Sequence, residues 1–136
     1  MRSKAWWRIL SGGFGVAFLA LAAVVPAQTD MAPSERFEKG LALLKDKGWV
    51  LVAELADEGG SPSREKITAY TDMVLLVNKH RPATFLLVRE ADKREIKLAT
   101  LKPGELPAKA LGAWIWYKIC AAADLMESCR AAGIIS

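Results

Sequence analysis

The sequence predicts a small α+β domain: an N-terminal helix, a four-stranded antiparallel meander and a C-terminal helical hairpin, all following a cleaved signal peptide. Three observations lead to this prediction. Apolar residues recur at helical spacing over 35–47, the period changes to two from Trp49 onward, and two cysteines lie nine residues apart in an apolar C-terminal segment. A length of 136 residues suits one domain, and a composition of 52% apolar and 25% charged residues excludes both a disordered chain and a multi-span membrane protein.

The N-terminal segment 1–27 is typical of a secretory signal peptide. Its first eight residues carry three cations and no anion, residues 9–25 carry no charge, and the small residue Ala27 ends the segment, so we expect cleavage after Ala27. Residues 28–33 then form a flexible leader and 34–136 a single domain, in the periplasm or outside the cell. The alternative is a membrane-tethered structural protein that keeps residues 9–25 as an anchor, because an uncharged segment of this length lies near the lower limit of a membrane span. Membrane contact is expected only in that case.

The first element of the mature chain is an amphipathic helix over 35–47. Ser34 is a suitable N-cap, and Gly48 interrupts the pattern where a helix would end. The apolar stripe consists of Phe37, Leu41 and Leu44.

Four strands are predicted after this helix. From Trp49 apolar and other residues alternate, which is typical of a strand with one buried face. Residues 66–78 are rich in β-branched and aromatic side chains, which favours a second strand, although Ile67, Tyr70, Val74 and Val77 also fall near helical spacing and leave a helix as the alternative. Strands over 83–90 and 95–101 follow, joined by a hairpin loop. Because no helix is predicted between the strands, an antiparallel sheet is favoured over a parallel one.

Cys120 and Cys129 are the only cysteines, and an exported protein favours a disulfide between them. In one continuous helix their Cα atoms would be roughly 13.5 Å apart, which is too far for a disulfide. The chain must therefore turn between them, and Asp124 with Glu127 has the spacing of an N-cap and its capping-box partner. We expect Gly133 to end the second helix. The predicted helices are 107–121 and 125–132. The alternative is a pair of reduced, buried thiols in one long helix.

Few residues indicate covalent chemistry. His80 is the only histidine and lies in a predicted turn between two cations, so we expect no catalytic role, no metal site and no cofactor. Glu54, Asp57 and Glu58 are the one carboxylate cluster that suggests an alternative, a small carboxylate-dependent hydrolase. Three acids before a Gly-Gly-Ser-Pro loop are more typical of exposed loop residues.

The formal net charge of +4 is reduced by signal removal. Without Arg2, Lys4 and Arg8 the chain has 16 Lys and Arg against 15 Asp and Glu, a net charge of +1. A local excess of +5 remains between residues 79 and 118, and it suggests docking of an anionic envelope component or another envelope protein. The alternative is that these cations only protect exposed strand edges from pairing with other chains. The charge is too modest for nucleic acid. The candidate binding cations are Lys79, Arg81, Arg89, Lys93, Arg94 and Lys97.

The mature chain has one aromatic cluster, Trp114, Trp116 and Tyr117. Consecutive positions point around a helix, so we expect Trp114 in the core and Trp116 and Tyr117 as candidate partner contacts. The alternative is that the neighbouring elements cover all three. Together the sequence predicts a small exported, non-enzymatic binding or accessory protein of the cell envelope.

Overall fold

The fold is a four-stranded antiparallel sheet packed against helices, seen in a computed structural model that describes residues 31–56 and 61–136. The predicted signal peptide and its cleavage site lie outside the described residues. The elements in chain order are α1 (Pro33–Asp46), β1 (Trp49–Leu55), β2 (Ser63–Ile67), α2 (Tyr70–Val77), β3 (Ala83–Arg89), β4 (Arg94–Leu101), a 3-10 turn (Pro103–Glu105), α3 (Ala113–Ala122) and α4 (Met126–Ala131).

The predicted α+β class is confirmed, with a helix first, four antiparallel strands, and helices last. The strand order is β2-β1-β3-β4, which is not the order of a meander. The reason is α2, which lies between β2 and β3 and lets the chain return to pair β3 with β1. Consequently β2 and β4 are the two edge strands.

The prediction of a strand over 66–78 is wrong for most of its length, because only its first residues belong to β2 and Tyr70–Val77 is a helix. The Asp72 carboxylate accepts hydrogen bonds from the backbone N–H groups of Thr68 (2.6 Å) and Ala69 (3.0 Å), which ties the preceding turn to the start of α2. Within α2, the buried residues Met73 and Leu76 have helical spacing. Local capping and packing therefore override the β propensity of these residues.

The predicted helix over 35–47 corresponds to α1. Its expected N-cap is wrong, because the helix already begins at Pro33, whose fixed φ suits a first turn, with Ala32 at the cap position. The expected leader over 28–33 thus ends inside the helix. Gly48 has a φ of +80°, the left-handed conformation that ends a helix.

One core lies between the sheet and the helices. Alternate residues of β1 enter it, as the period of two predicts, and side chains from every described helix join the same cluster, so the helices cover one face of the sheet. Among the described residues, no helix is long and apolar enough to cross a membrane. The core residues of β1 are Trp49, Leu51, Ala53 and Leu55.

The helical hairpin closed by Cys120 and Cys129 is present, with their Cα atoms 6.4 Å apart. The expected N-cap at Asp124 is wrong: its φ is +60°, and it ends α3 instead of starting α4. The Leu125 N–H donates to the Cys120 carbonyl oxygen at 2.8 Å, the bond that characterises a Schellman motif. The chain reverses at this left-handed residue, which lies between the two cysteines.

The same motif follows α4, where Gly133 has a φ of +78° and the Ile134 N–H donates to the Cys129 carbonyl oxygen at 3.0 Å. Here the predicted glycine terminator is confirmed. Arg36, only 8% exposed, donates from Nε to the Ile134 carbonyl oxygen at 3.2 Å and holds the C-terminal segment against α1. The predicted start of the first C-terminal helix is wrong. This helix, α3, starts at Ala113 rather than at Pro107, because residues 106–111 form turns.

Candidate binding surface

The predicted basic residues do not form one patch. Lys79 and Arg81 precede the first residue of β3, whereas Arg89 ends β3 and Lys93 lies in the following turn. A strand of this length is about 20 Å long, so the two groups lie at opposite ends of the sheet. Any single binding surface uses at most one of them.

Two of the predicted cations are already ion-paired. Lys79 Nζ lies 3.2 Å from the Glu65 carboxylate, and Arg89 Nε donates to Asp92 at 3.1 Å while its guanidinium lies 5.2 Å from the ring centroid of Trp49. The positive charge of Lys79 and Arg89 is therefore largely neutralised by carboxylates of the same domain.

Three of the other predicted cations are not ion-paired with described residues. Within the part of the chain that the structure describes, Lys93, Arg94 and Lys97 make no ion pair, and all three are exposed. They lie on or beside β4, so this edge of the sheet has unmatched positive charge.

The aromatic helix α3 presents a different tryptophan from the expected one. Trp116 is 0% exposed and packs edge-to-face on Phe37, with 5.4 Å between ring centroids, so its expected role as a partner contact is wrong. Space for its indole exists because residue 40 is glycine: a Cβ there would lie 2.3 Å from the ring. The helix is thereby rotated so that Trp114 (37% exposed) and Tyr117 (51% exposed) face outward.

Two shallow grooves meet at Tyr117 and Lys118. The first, of about 290 Å³, lies between α3 and β4, and the second, of about 470 Å³, lies between α3 and the C-terminus. We call these grooves together the β4–α3 surface. Its lining residues are Ile96, Lys97, Leu98, Ala113, Trp114, Tyr117, Lys118, Ala121, Ala122, Ile135 and Ser136.

Among the residues that the structure describes, no Asp or Glu side chain lines the β4–α3 surface, and the carboxylates near it have cation or backbone N–H partners. Arg64 Nη1 donates to Glu95 at 2.7 Å, and this hydrogen bond lowers the pKa of Glu95. The hydrogen bond from Arg89 lowers the pKa of Asp92 to about 2. Both carboxylates are thus ionised at neutral pH and already neutralised by an arginine.

Glu105, at the end of the 3-10 turn, also has hydrogen-bond donors bound to its carboxylate. Its carboxylate accepts a hydrogen bond from the Lys102 backbone N–H at 2.9 Å and another from Lys109 Nζ at 2.9 Å, and these lower its pKa, the backbone contact most. Within the described part of the chain, neither Lys97 nor Lys118 makes an ion pair. Lys118 Nζ instead lies 5.7 Å from the ring centroid of Trp114.

The other edge strand, β2, provides the contrast. Each of its three charged residues has an ion-pair partner: Arg64 binds Glu95 and Glu54, Glu65 binds Lys79, and Lys66 binds Glu90. One edge of the sheet is thus electrostatically satisfied, and the other is not.

Glu54 belongs to the face of the sheet turned away from the helices. Its carboxylate accepts a hydrogen bond from Arg64 Nε at 3.1 Å, and the same guanidinium donates to Glu95 on the opposite edge strand. Its predicted companions Asp57 and Glu58 lie outside the described residues.

His80 is exposed and has a φ of +54° in the turn after α2. In the described ranges no group of three or more His, Cys, Asp or Glu side chains could hold a metal ion. The β4–α3 surface offers aromatic packing, apolar burial and attraction of negative charge.

No family model, no curated protein and no solved structure matches this chain.

Proposed function

We propose that this chain is a small exported accessory protein of the cell envelope that acts by binding a partner rather than by catalysis. The observation that carries the proposal is the β4–α3 surface, where two exposed aromatic side chains adjoin two lysines without carboxylate partners among the described residues. Tryptophan and tyrosine are among the residue types enriched at the energetic centres of protein interfaces.

The disulfide supports the export part of the proposal. Disulfides persist in oxidising compartments, and Cys120 and Cys129 form one inside the core. Together with the signal-peptide pattern of residues 1–27, this favours the periplasm or the cell exterior. N-terminal sequencing of the protein from its own organism tests this part: a chain that starts at Gln28 supports export with cleavage, and a chain that still contains residues 9–25 contradicts it.

The binding part is tested by placing a photo-crosslinking amino acid at Tyr117 in the full chain, expressed in the organism of origin. We expect a discrete crosslinked product from this position, because its side chain is half exposed at the junction of both grooves. The matched control is the same amino acid at Ala42, an exposed position on α1. Products of equal yield from both positions, or none from Tyr117, would contradict the proposal.

A further inference from the structure

We infer that the β4–α3 surface binds an extended, acidic polypeptide segment, which pairs with β4 as a fifth strand; this inference rests on the proposed binding function. Edge strands offer unpaired backbone N–H and C=O groups to an incoming strand, and a groove between an edge strand and a helix is a recurrent arrangement for peptide recognition. β4 is such a strand, and α3 lies beside it.

The length and shape of the site suit an extended chain. The eight residues of β4 extend about 26 Å, whereas the opposite edge strand β2 has only five residues. Half-buried Ile96 and Leu98 line the groove from β4, and the small side chain of Ala121 leaves space on α3. Alternate side chains of an added strand would enter this groove while its backbone pairs with β4.

The charge of the site determines the chemistry of the segment. Among the described residues, the charged ones that line the groove between β4 and α3 are Lys97 and Lys118, and Arg94 lies at the start of the same strand. Lysine on an edge strand disfavours pairing with apolar or basic strands, which leaves an acidic segment as the complementary partner. The ion-paired edge β2 has no such preference.

The experiment is selection from a displayed library of random peptides of about ten residues, long enough to pair with all of β4, against the purified exported protein. We expect enrichment of peptides that combine several Asp or Glu residues with apolar ones. Binding to the Lys97→Glu/Lys118→Glu variant should be weaker by about tenfold or more. The matched control, Lys45→Glu/Lys47→Glu, changes the net charge equally at exposed residues of α1 and its C-cap, and should bind as the parent does.

Amide hydrogen exchange measures the backbone pairing directly. With a selected peptide bound, we expect slower exchange in residues 94–101 and no change in residues 63–67. Peptides without acidic residues, equal weakening by both double variants, or binding without slower exchange in β4 would each overturn the inference. So would a failure to enrich peptides, with or without binding to vesicles of phosphatidylglycerol and phosphatidylcholine. If any of these results accompanies a crosslinked product at Tyr117, the proposed binding function stands and only the inference of an acidic added strand is wrong; if Tyr117 also gives no product, both are wrong.

Discussion

Replacement of Gly40 by alanine tests how the core positions α3. On an exposed helix, Gly→Ala would stabilise the fold by about 1 kcal/mol, because alanine is the better helix former. Here the added Cβ would lie 2.3, 2.5 and 2.7 Å from three atoms of the Trp116 six-membered ring, inside any normal carbon contact. Trp116 is fully buried and held by Phe37, so the ring cannot move without displacing the core.

The expected result follows from the balance of these two effects. Overpacking of a core costs about 1–3 kcal/mol or more, and three simultaneous clashes place this site at the upper end of that range. After subtraction of the propensity gain, we expect Gly40→Ala to lower the free energy of unfolding by about 2 kcal/mol. Urea denaturation of the purified protein measures this change as a lower midpoint with an unchanged slope. Ala42→Gly, at an exposed position on the same helix, is the control for propensity and should cost about 1 kcal/mol.

A double-mutant cycle identifies the clash as the cause. Trp116→Phe shortens the side chain and removes the indole N–H, which has no hydrogen-bond partner among the described residues, so this change alone should cost only about 1–2 kcal/mol. In the Trp116→Phe background, Gly40→Ala should cost at least about 1 kcal/mol less than in the parent. If Gly40→Ala is as stable as the parent, or if the two substitutions are additive, our account of how α3 is positioned is wrong.

Three further predictions follow from other contacts. Replacement of both Cys120 and Cys129 by serine should lower the free energy of unfolding by about 2.7 kcal/mol, the chain-entropy value for a loop of about ten residues, and an unchanged urea midpoint would contradict this. The pKa of Asp72 is lowered chiefly by its hydrogen bond from the preceding backbone, so its stabilising contribution is complete above the ordinary value of 3.8 and is lost as the pH falls through the lower folded value. Asp72→Asn should therefore flatten the loss of stability in acid, measured by denaturation at a series of pH values; an unchanged slope would refute the capping role. Arg64→Gln should raise the pKa of Glu95 toward its ordinary value in an NMR titration, and an unshifted titration would show that the ion pair does not form in solution.

The sequence predicted those features of the fold that depend on local periodicity. The stripe of α1 and the alternation of β1 each place one face in the core, and the structure confirms both. The cysteine spacing required a reversal of the chain, and the reversal is present at Asp124. What composition could not predict was α2, because its β-branched residues favour a strand. The start of the helix is held by two carboxylates: that of Asp72 accepts hydrogen bonds from two preceding backbone N–H groups, and that of Glu38 accepts one from the Tyr70 N–H at 2.6 Å.

The candidate surface was only partly predictable for a related reason. The orientation of α3 depends on a cavity in another element, the space left by Gly40, and no pattern within residues 107–121 reports it. A glycine inside an otherwise strong helical pattern was the available signal, since such a residue lowers helix stability and commonly marks close packing. That signal would have indicated that a large side chain docks on α1, and would have placed a tryptophan in the core without saying which one.

Charge was the feature that depended most on three-dimensional pairing. The sequence groups Lys79, Arg89 and Lys97 as equivalent cations, but the structure divides them: Glu65 neutralises the first, Asp92 the second, and no described carboxylate the third. Because exposed ion pairs cancel the field of a charge at short range, a partner is attracted by the cations that remain unmatched rather than by the total. The cations available to a partner are therefore those at the edge of β4 rather than those of the whole hairpin. Charge reversal at Lys97 should weaken partner binding more than charge reversal at Lys79, although each removes the same formal charge from the chain.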